Sequence, residues 1–252
     1  MLLSLLLLPV LALAEEPVPL TPGVDLFAGV ELDAASRYLW RGMYSSEGPT
    51  LQPSVWFGVG AVSLSAWSNV NLTSLDSQRL SELDLQLSLS QSHEAFTFDP
   101  ALVLYLFPGQ PDEDPTGELL ADFGWQPEVF GLYSSHAVDF WNGRPGWWSE
   151  TGARVDVAPT EALSLGANLG ISLGNKAFNE YYLEADRYGM QYLAFGAEAG
   201  WALPGGLAVG LTGTVDFLPL DPVQQALECG PVVGAALLSV SWEGGGRVKR
   251  TP

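Results

Sequence analysis

The charged side chains of this sequence sit on alternate residues of otherwise apolar stretches, and that spacing decides which chemistry is open to them. Glu31 and Asp33, followed by Arg37 and Arg41, share one parity, while Leu26, Ala28, Val30 and Leu32 share the other. Glu82 and Asp84 oppose Leu83, Leu85, Leu87 and Leu89 in the same way, and Glu150, Arg154 and Asp156 oppose Ala153, Val155 and Val157. Asp216 stands with Thr212 and Thr214 against Leu211, Val215 and Phe217, and Glu198 is assigned to the same charged face. Period two is the repeat of an extended strand, so each stretch has one ionised face and one oily face. A wall of mixed sign built from Arg37, Arg41 and Arg154 among these carboxylates can act as a polar constriction for small solutes. It can equally serve as a salt-bridged filling for the interior of a small barrel.

Other chemistries have little to work with. Nucleophilic catalysis needs a base beside the nucleophile, and the chain has two histidines. His93 falls in the short turn QSHEA. His136 follows Ser134 and Ser135 along one strand, without an evident acid partner. No HExxH, CxxC or glycine-rich phosphate loop is present, so neither a resident metal nor a cofactor is expected, and the protein is read as a non-enzyme. The acidic run PDEDPTGE, with Asp112, Glu113, Asp114 and Glu118, has the oxygen ligands a hard divalent cation takes, though a solvated surface loop has the same composition. The longest connection, KAFNEYYLEADRYG, carries Tyr181, Tyr182 and Leu183 beside Glu180, Glu184 and Asp186; it can fold inward, form a short helix or cap the surface.

The elements that must position these groups are hairpins. From Leu51 to Leu72 the alternation runs through two strands and is broken only at Gly60-Ala61, a tight glycine turn. The whole chain divides into about twelve such strands, the first over residues 24–42 and the last over 231–242, with the weakest alternation at 117–124 and 127–140. Their connections alternate in length. MYSSEGP, TSLDSQR, PGQPDEDPTG, NGRP, GNKAFNEYYLEADRY and LPLDPVQQALECG are long or polar, whereas Gly60-Ala61, QSHE, WQPE, APTE and LPGG are short. Short turns at one end, long loops at the other and an even strand number describe a closed up-and-down antiparallel β-barrel of the outer-membrane kind. An unpaired charge facing mid-bilayer costs about 2–4 kcal/mol, so the charged parity is assigned to the lumen and the Leu/Val parity to lipid. Aromatic rings near strand ends favour the headgroup level, which assigns Tyr38, Trp40, Phe107, Phe140, Trp147, Trp148, Tyr192, Trp201, Phe217 and Trp242 to a girdle.

Composition agrees with an exported all-β chain. Residues 1–14 read as a signal peptide, an apolar run closing on Ala12-Leu13-Ala14, too short to span a bilayer. The barrel is expected over 24–243, with 244–252 a short basic tail. Net charge is −19, which argues against nucleic acid, and 28 glycines with abundant aromatics favour strands over helices. The single cysteine, Cys229, excludes an intrachain disulfide and is expected to be inert.

Residues 36–72 also resemble the opening of the TorF-type porins, the Gcw_chp family of proteobacterial outer-membrane proteins. Ser36, Tyr38, Arg41 and Gly42 fit its Ser-x-Tyr-x-x-Arg-Gly pattern, and Leu51-Gln52, Trp67-Ser68-Asn69 and Glu82-Leu83-Asp84 follow in order. The likeness covers about residues 24–125 and implies a twelve-stranded barrel. The expected activity is passive diffusion of small hydrophilic solutes across the bacterial outer membrane, with excess acid favouring cations. A closed structural or adhesive barrel and a secreted soluble β-sandwich are the alternatives.

Overall fold

The computed structural model describes residues 23–73, 79–108, 110, 114–141, 146–183, 186–219, 221–227 and 229–249. The segment read above as a signal peptide, Asp112, Glu113, Glu184, the loop 142–145 and the last three residues lie outside them. Among the described residues the chain forms twelve long strands, each antiparallel to its neighbours in sequence. They are β1 (Gly23–Ala35), β2 (Thr50–Val59), β3 (Val62–Asn71), β4 (Leu80–Leu89), β5 (Phe96–Leu106), β6 (Thr116–Trp125), β7 (Phe130–Asp139), β8 (Gly146–Val157), β9 (Leu163–Gly174), β10 (Gly189–Leu203), β11 (Leu207–Phe217) and β12 (Val232–Lys249). A short strand, Gln91–His93, extends the turn between β4 and β5. Two helices sit between strands, α1 (Lys176–Leu183) and α2 (Asp221–Ala226).

The sheet closes on itself. β12 pairs with β1 from Gly23↔Lys249 to Ala35↔Leu237, and β1 pairs with β2 on its other edge, so no edge strand is left at the seam. Each strand presents alternate residues to opposite faces. Val30, Leu32, Val55, Phe57, Leu64, Leu87, Leu169, Leu211 and Leu238 are exposed on the outside, where apolar side chains bordering hydrocarbon lose nothing by lacking a protein neighbour. Asp33, Gln52, Asn69, Glu82, Asp84, Glu118, Ser172 and Asp216 are buried on the inside. This inversion of a soluble core excludes the two-sheet sandwich.

Two boundaries differ from the sequence reading. β1 ends at Ala35 rather than at residue 42, because Ser36–Pro49 turns into the barrel. β12 runs on through 244–249, the segment set apart as a tail: Gly244, Gly245 and Gly246 pair with Ala28, Phe27 and Leu26. Backbone pairing needs no side chain, so these glycines carry no alternation that a sequence pattern could register.

Candidate functional site: a strapped vestibule

The lumen has two halves. Toward the short turns the inward side chains, including Glu31, Asp122, Tyr133, Arg154, Asp156, Asn168 and Glu198, are half-exposed and line an open vestibule. Toward the long loops the inward positions are buried, because the chain after β1 folds into the lumen as a strap. Leu39–Trp40 and Met43–Tyr44 pair as a two-residue ribbon around Arg41 and Gly42, both at positive φ (48° and 81°). Two consecutive left-handed residues make the tight hairpin turn that Asn-Gly usually supplies; here a non-glycine adopts it. The strap is tied at several points. The Tyr38 amide donates to Ser46 Oγ (2.8 Å), Ser45 N to Tyr38 O (2.8 Å), and Tyr44 Oη reaches the Gly234 backbone of β12.

Arg41 is the centre of the strap. Its two terminal nitrogens donate to the two carboxylate oxygens of Glu118 on β6 at 2.7 and 2.8 Å, and the side chains are only 3% and 1% exposed. The guanidinium also lies 4.5 Å from the Trp40 ring centre and 4.3 Å from that of Trp148 on β8. Burial opposes its charge, but Glu118 more than offsets this and raises the Arg41 pKa, so the residue stays cationic. Tyr105 Oη donates a further bond to Glu118 (2.8 Å). The bidentate pair and the aromatic faces on the guanidinium make this buried charge tolerable, although Arg41 Nε itself has no hydrogen-bond partner.

The loop between β9 and β10 fills the remaining space. Asn175 Oδ1 accepts from the Phe178 amide (2.8 Å) as an N-cap, starting α1. That helix turns Phe178, Asn179 and Leu183 inward, with Tyr182 against Trp40 (ring centres 5.2 Å) and its hydroxyl donating to Asp139 at 2.9 Å. Burial and the charges of Glu118 and Asp139 push the Tyr182 phenol up, so it remains a donor. Trp40, Phe178 and Tyr182 join Met43, Val103, Tyr105, Leu120, Trp148, Leu218, Val223 and Val233 in one cluster inside the barrel. On the opposite wall Tyr38 packs on Trp67 of β3, ring centres 5.3 Å apart.

Below the strap a cavity of about 1020 Å³, counting the part open to solvent, runs from Trp40, Arg41 and Trp148 along the inner wall of β7–β11. Arg154 is tied to Asp156 (2.6 and 2.8 Å) and lies 3.7 Å from Glu198. Both carboxylate oxygens of Glu150 accept phenols, from Tyr133 at 2.8 Å and Tyr192 at 2.9 Å.

Of the charged residues named from the sequence, Glu31, Asp33, Glu82, Asp84, Glu150, Arg154, Asp156, Glu198 and Asp216 stand on inward strand positions. Arg37 and Arg41 are in the strap instead of β1, with Arg37 4.6 Å above the Tyr44 ring centre. Glu118 was grouped with the acidic loop; it is on β6 and faces Arg41, and no cluster of metal-ligating residues occurs among the described residues. Asp122 and Asp139 are inward acids the sequence reading passed over, although Glu118, Leu120 and Asp122 share a parity. The girdle assignment needs correction. Phe140, Trp201 and Phe217 are exposed at strand ends, Trp242 is exposed but in the middle of β12, opposite Val30, and Trp147 points outward beside His136. Tyr38, Trp40, Trp148 and Tyr192 are instead inside, and Phe107 packs against the inner cluster. Trp148 shares the parity of Glu150, and Tyr192 that of Glu198, which was the available signal. Ser134 Oγ lies 2.9 Å from His136 Nε2 and 2.8 Å from Thr151 Oγ1, on the outer face of the barrel.

No protein-family model matches the chain, and no curated protein sequence does either. Solved structures do. The NanC porin superposes with a TM-score of 0.58 at 7% identity, over 84% of this chain and 98% of that one. The fold is that of an outer-membrane porin barrel. The KdgM porin gives 0.54 at 8% identity over 85% and 98%, and its complex with disordered oligogalacturonate gives 0.53 at 8% identity over 86% and 98%.

Proposed function

We propose that this protein is an outer-membrane channel for passive diffusion of small hydrophilic solutes, favouring cations, with its loop-side mouth narrowed by the Arg41 strap. The observation that carries this reading is the closed barrel whose short-turn half is an open, acid-rich vestibule. Glu31, Asp122, Asp156 and Glu198 face it, and Arg154 is the cation on the same wall. Low-dielectric walls focus such a field and raise the local concentration of cations. The same field repels polyanions, so an oligogalacturonate of the kind bound to KdgM is a poor substrate here. On this reading delivery to the outer membrane follows a cut after Ala14, and the motifs of residues 36–84 support a kinship with the TorF-type porins.

The test is reversal potential and conductance of refolded protein in planar bilayers under a KCl gradient. Cation-selective current supports the reading; anion selectivity refutes the charge argument. The filled loop-side half favours one competing reading, a closed structural barrel. Absence of current in both wild type and Arg41→Ala would establish that one instead.

A further inference from the structure

Outward positions of the twelve strands carry apolar side chains or glycine almost throughout, as lipid requires. Among the described residues the exceptions are Ser68 on β3 and four neighbours that form one block on β7 and β8. Ser134 stands opposite Thr151, and His136 opposite Ser149. The block lies near the middle of both strands, and His136 is the one ionisable side chain at an outward strand position among the described residues. Rings fix its imidazole: Trp147 stacks on it with centres 6.2 Å apart, and Phe123 meets it edge-on at 6.0 Å. Ser134 Oγ bonds His136 Nε2 (2.9 Å) and Thr151 Oγ1 (2.8 Å). These three side chains carry three donors for two bonds, so one donor stays unspent whichever way the protons run. It is either the second imidazole nitrogen or the Thr151 hydroxyl, and the acyl chains it faces accept nothing. Polar groups at this depth are costly, and those kept there ordinarily bond a partner.

We propose that this block is where a second copy of the chain docks, in a side-by-side dimer about a two-fold axis along the membrane normal. Copies inserted in the same direction keep every residue at its own depth. The outer face of a second barrel is apolar apart from Ser68 and the same block, so the block is the surface best able to complete its twin. A two-fold contact is self-complementary: the unspent donor of one copy meets the Ser149 and Thr151 hydroxyls of the other, and the reverse. Exposed Leu132, Val155 and Leu169 flank the block as apolar shoulders for the same contact. Docking the block on Ser68 instead would be head-to-tail and would not close at two copies.

Energy transfer between full-length copies in liposomes, labelled at Ala61→Cys in a Cys229→Ser background, measures association across a range of protein-to-lipid ratios. Wild-type side chains at the block should give dimers. The triple variant Ser134→Ala, His136→Leu, Thr151→Val carries only residue types that other outward positions already hold, so its barrel should fold. Its dimer should be weaker by about 10-fold or more, because each bond lost is lost twice across the axis. A short bifunctional maleimide locates the contact: it should join copies carrying Leu132→Cys on β7 and leave those carrying Leu64→Cys on β3 unjoined. Copies with the native block that stay monomeric at every ratio overturn the proposal. So does association unchanged in the triple variant, or cross-linking as fast through Leu64→Cys as through Leu132→Cys. If the triple variant does not refold, the two cysteine variants decide, since both keep the block intact. No current is measured, so failure here leaves the channel reading untouched.

Discussion

Replacing Arg41 by alanine should open the loop-side mouth. The change removes both bonds to Glu118, leaves that carboxylate 1% exposed with the Tyr105 hydroxyl as its remaining partner, and empties the space between the Trp40 and Trp148 rings. Breaking a buried pair from one side costs about 3–5 kcal/mol, because the surviving charge has no counterion. At about 1.4 kcal/mol per tenfold, a cost of that size lowers the strap's docked population by roughly 10²-fold to a few thousand-fold relative to undocked. The positive φ of Arg41 then adds strain with no contact to offset it. Single-channel conductance should rise, and liposome swelling should admit larger sugars than wild type does. Glu118→Gln should act in the same direction, since it strands the guanidinium. The double variant Arg41→Met with Glu118→Leu replaces both ions by apolar groups of similar size, which is often neutral, and should return conductance toward wild type. Retained heat-modifiable mobility on gels checks that each barrel is folded. Unchanged conductance in both single variants, or a double variant whose effect is their sum, would refute the claim that this ion pair closes the mouth.

Three further outcomes follow from the geometry. Gly42→Ala puts a methyl 2.7 Å from the Tyr192 ring at φ +81°, so it should displace the strap and raise conductance like Arg41→Ala without changing any charge. Leu64→Arg, at an outward position 58% exposed, should cost about 2–4 kcal/mol of folding in lipid by denaturant titration, whereas Ser65→Arg, on the inward side, should cost far less. Removing residues 244–252 deletes the pairing of Gly244–Lys249 with Gly23–Ala28 and leaves an unpaired edge at the seam. The folded fraction after refolding into lipid should drop, and a truncation that refolds as efficiently as the full chain would contradict the register.

The barrel itself was legible because its physics is two-valued. A residue on a membrane strand faces either lipid or lumen, and a charge on the wrong face is expensive, so Leu83–Leu89 against Glu82 and Asp84 leaves little choice. The strap was not legible for the same reason. Arg37 and Arg41 keep the parity of Glu31 and Asp33, and Tyr38 and Trp40 that of Val30 and Leu32, so a period of two can be read past the point where the strand has ended. The one local sign is Arg41-Gly42, a dipeptide that suits a tight turn only if arginine accepts a left-handed backbone. What compensates arginine there is Glu118, distant in sequence, and no local pattern contains that information. The misplaced aromatics share this cause. Trp148 and Tyr192 lie near strand ends, as girdle residues do, and only their parity with Glu150 and Glu198 separates inside from outside.

Strand number connects these corrections. Eight strands leave an interior that their own side chains fill, and sixteen leave an aqueous channel, so twelve strands leave a space that inward side chains alone do not fill. In this chain the loop-side half of that space is filled by groups brought in from connections: Trp40 and Arg41 from the first, Phe178 and Tyr182 from the helix after β9, and Val223 from α2. The short-turn connections are too short to reach inward, which is why that half stays open and its acids stay partly exposed. Long loops on one side therefore do more than mark which end faces outward. They determine which half of the lumen carries a packed core and which half is left for solutes, and they place the one buried ion pair of the strap at the boundary between the two.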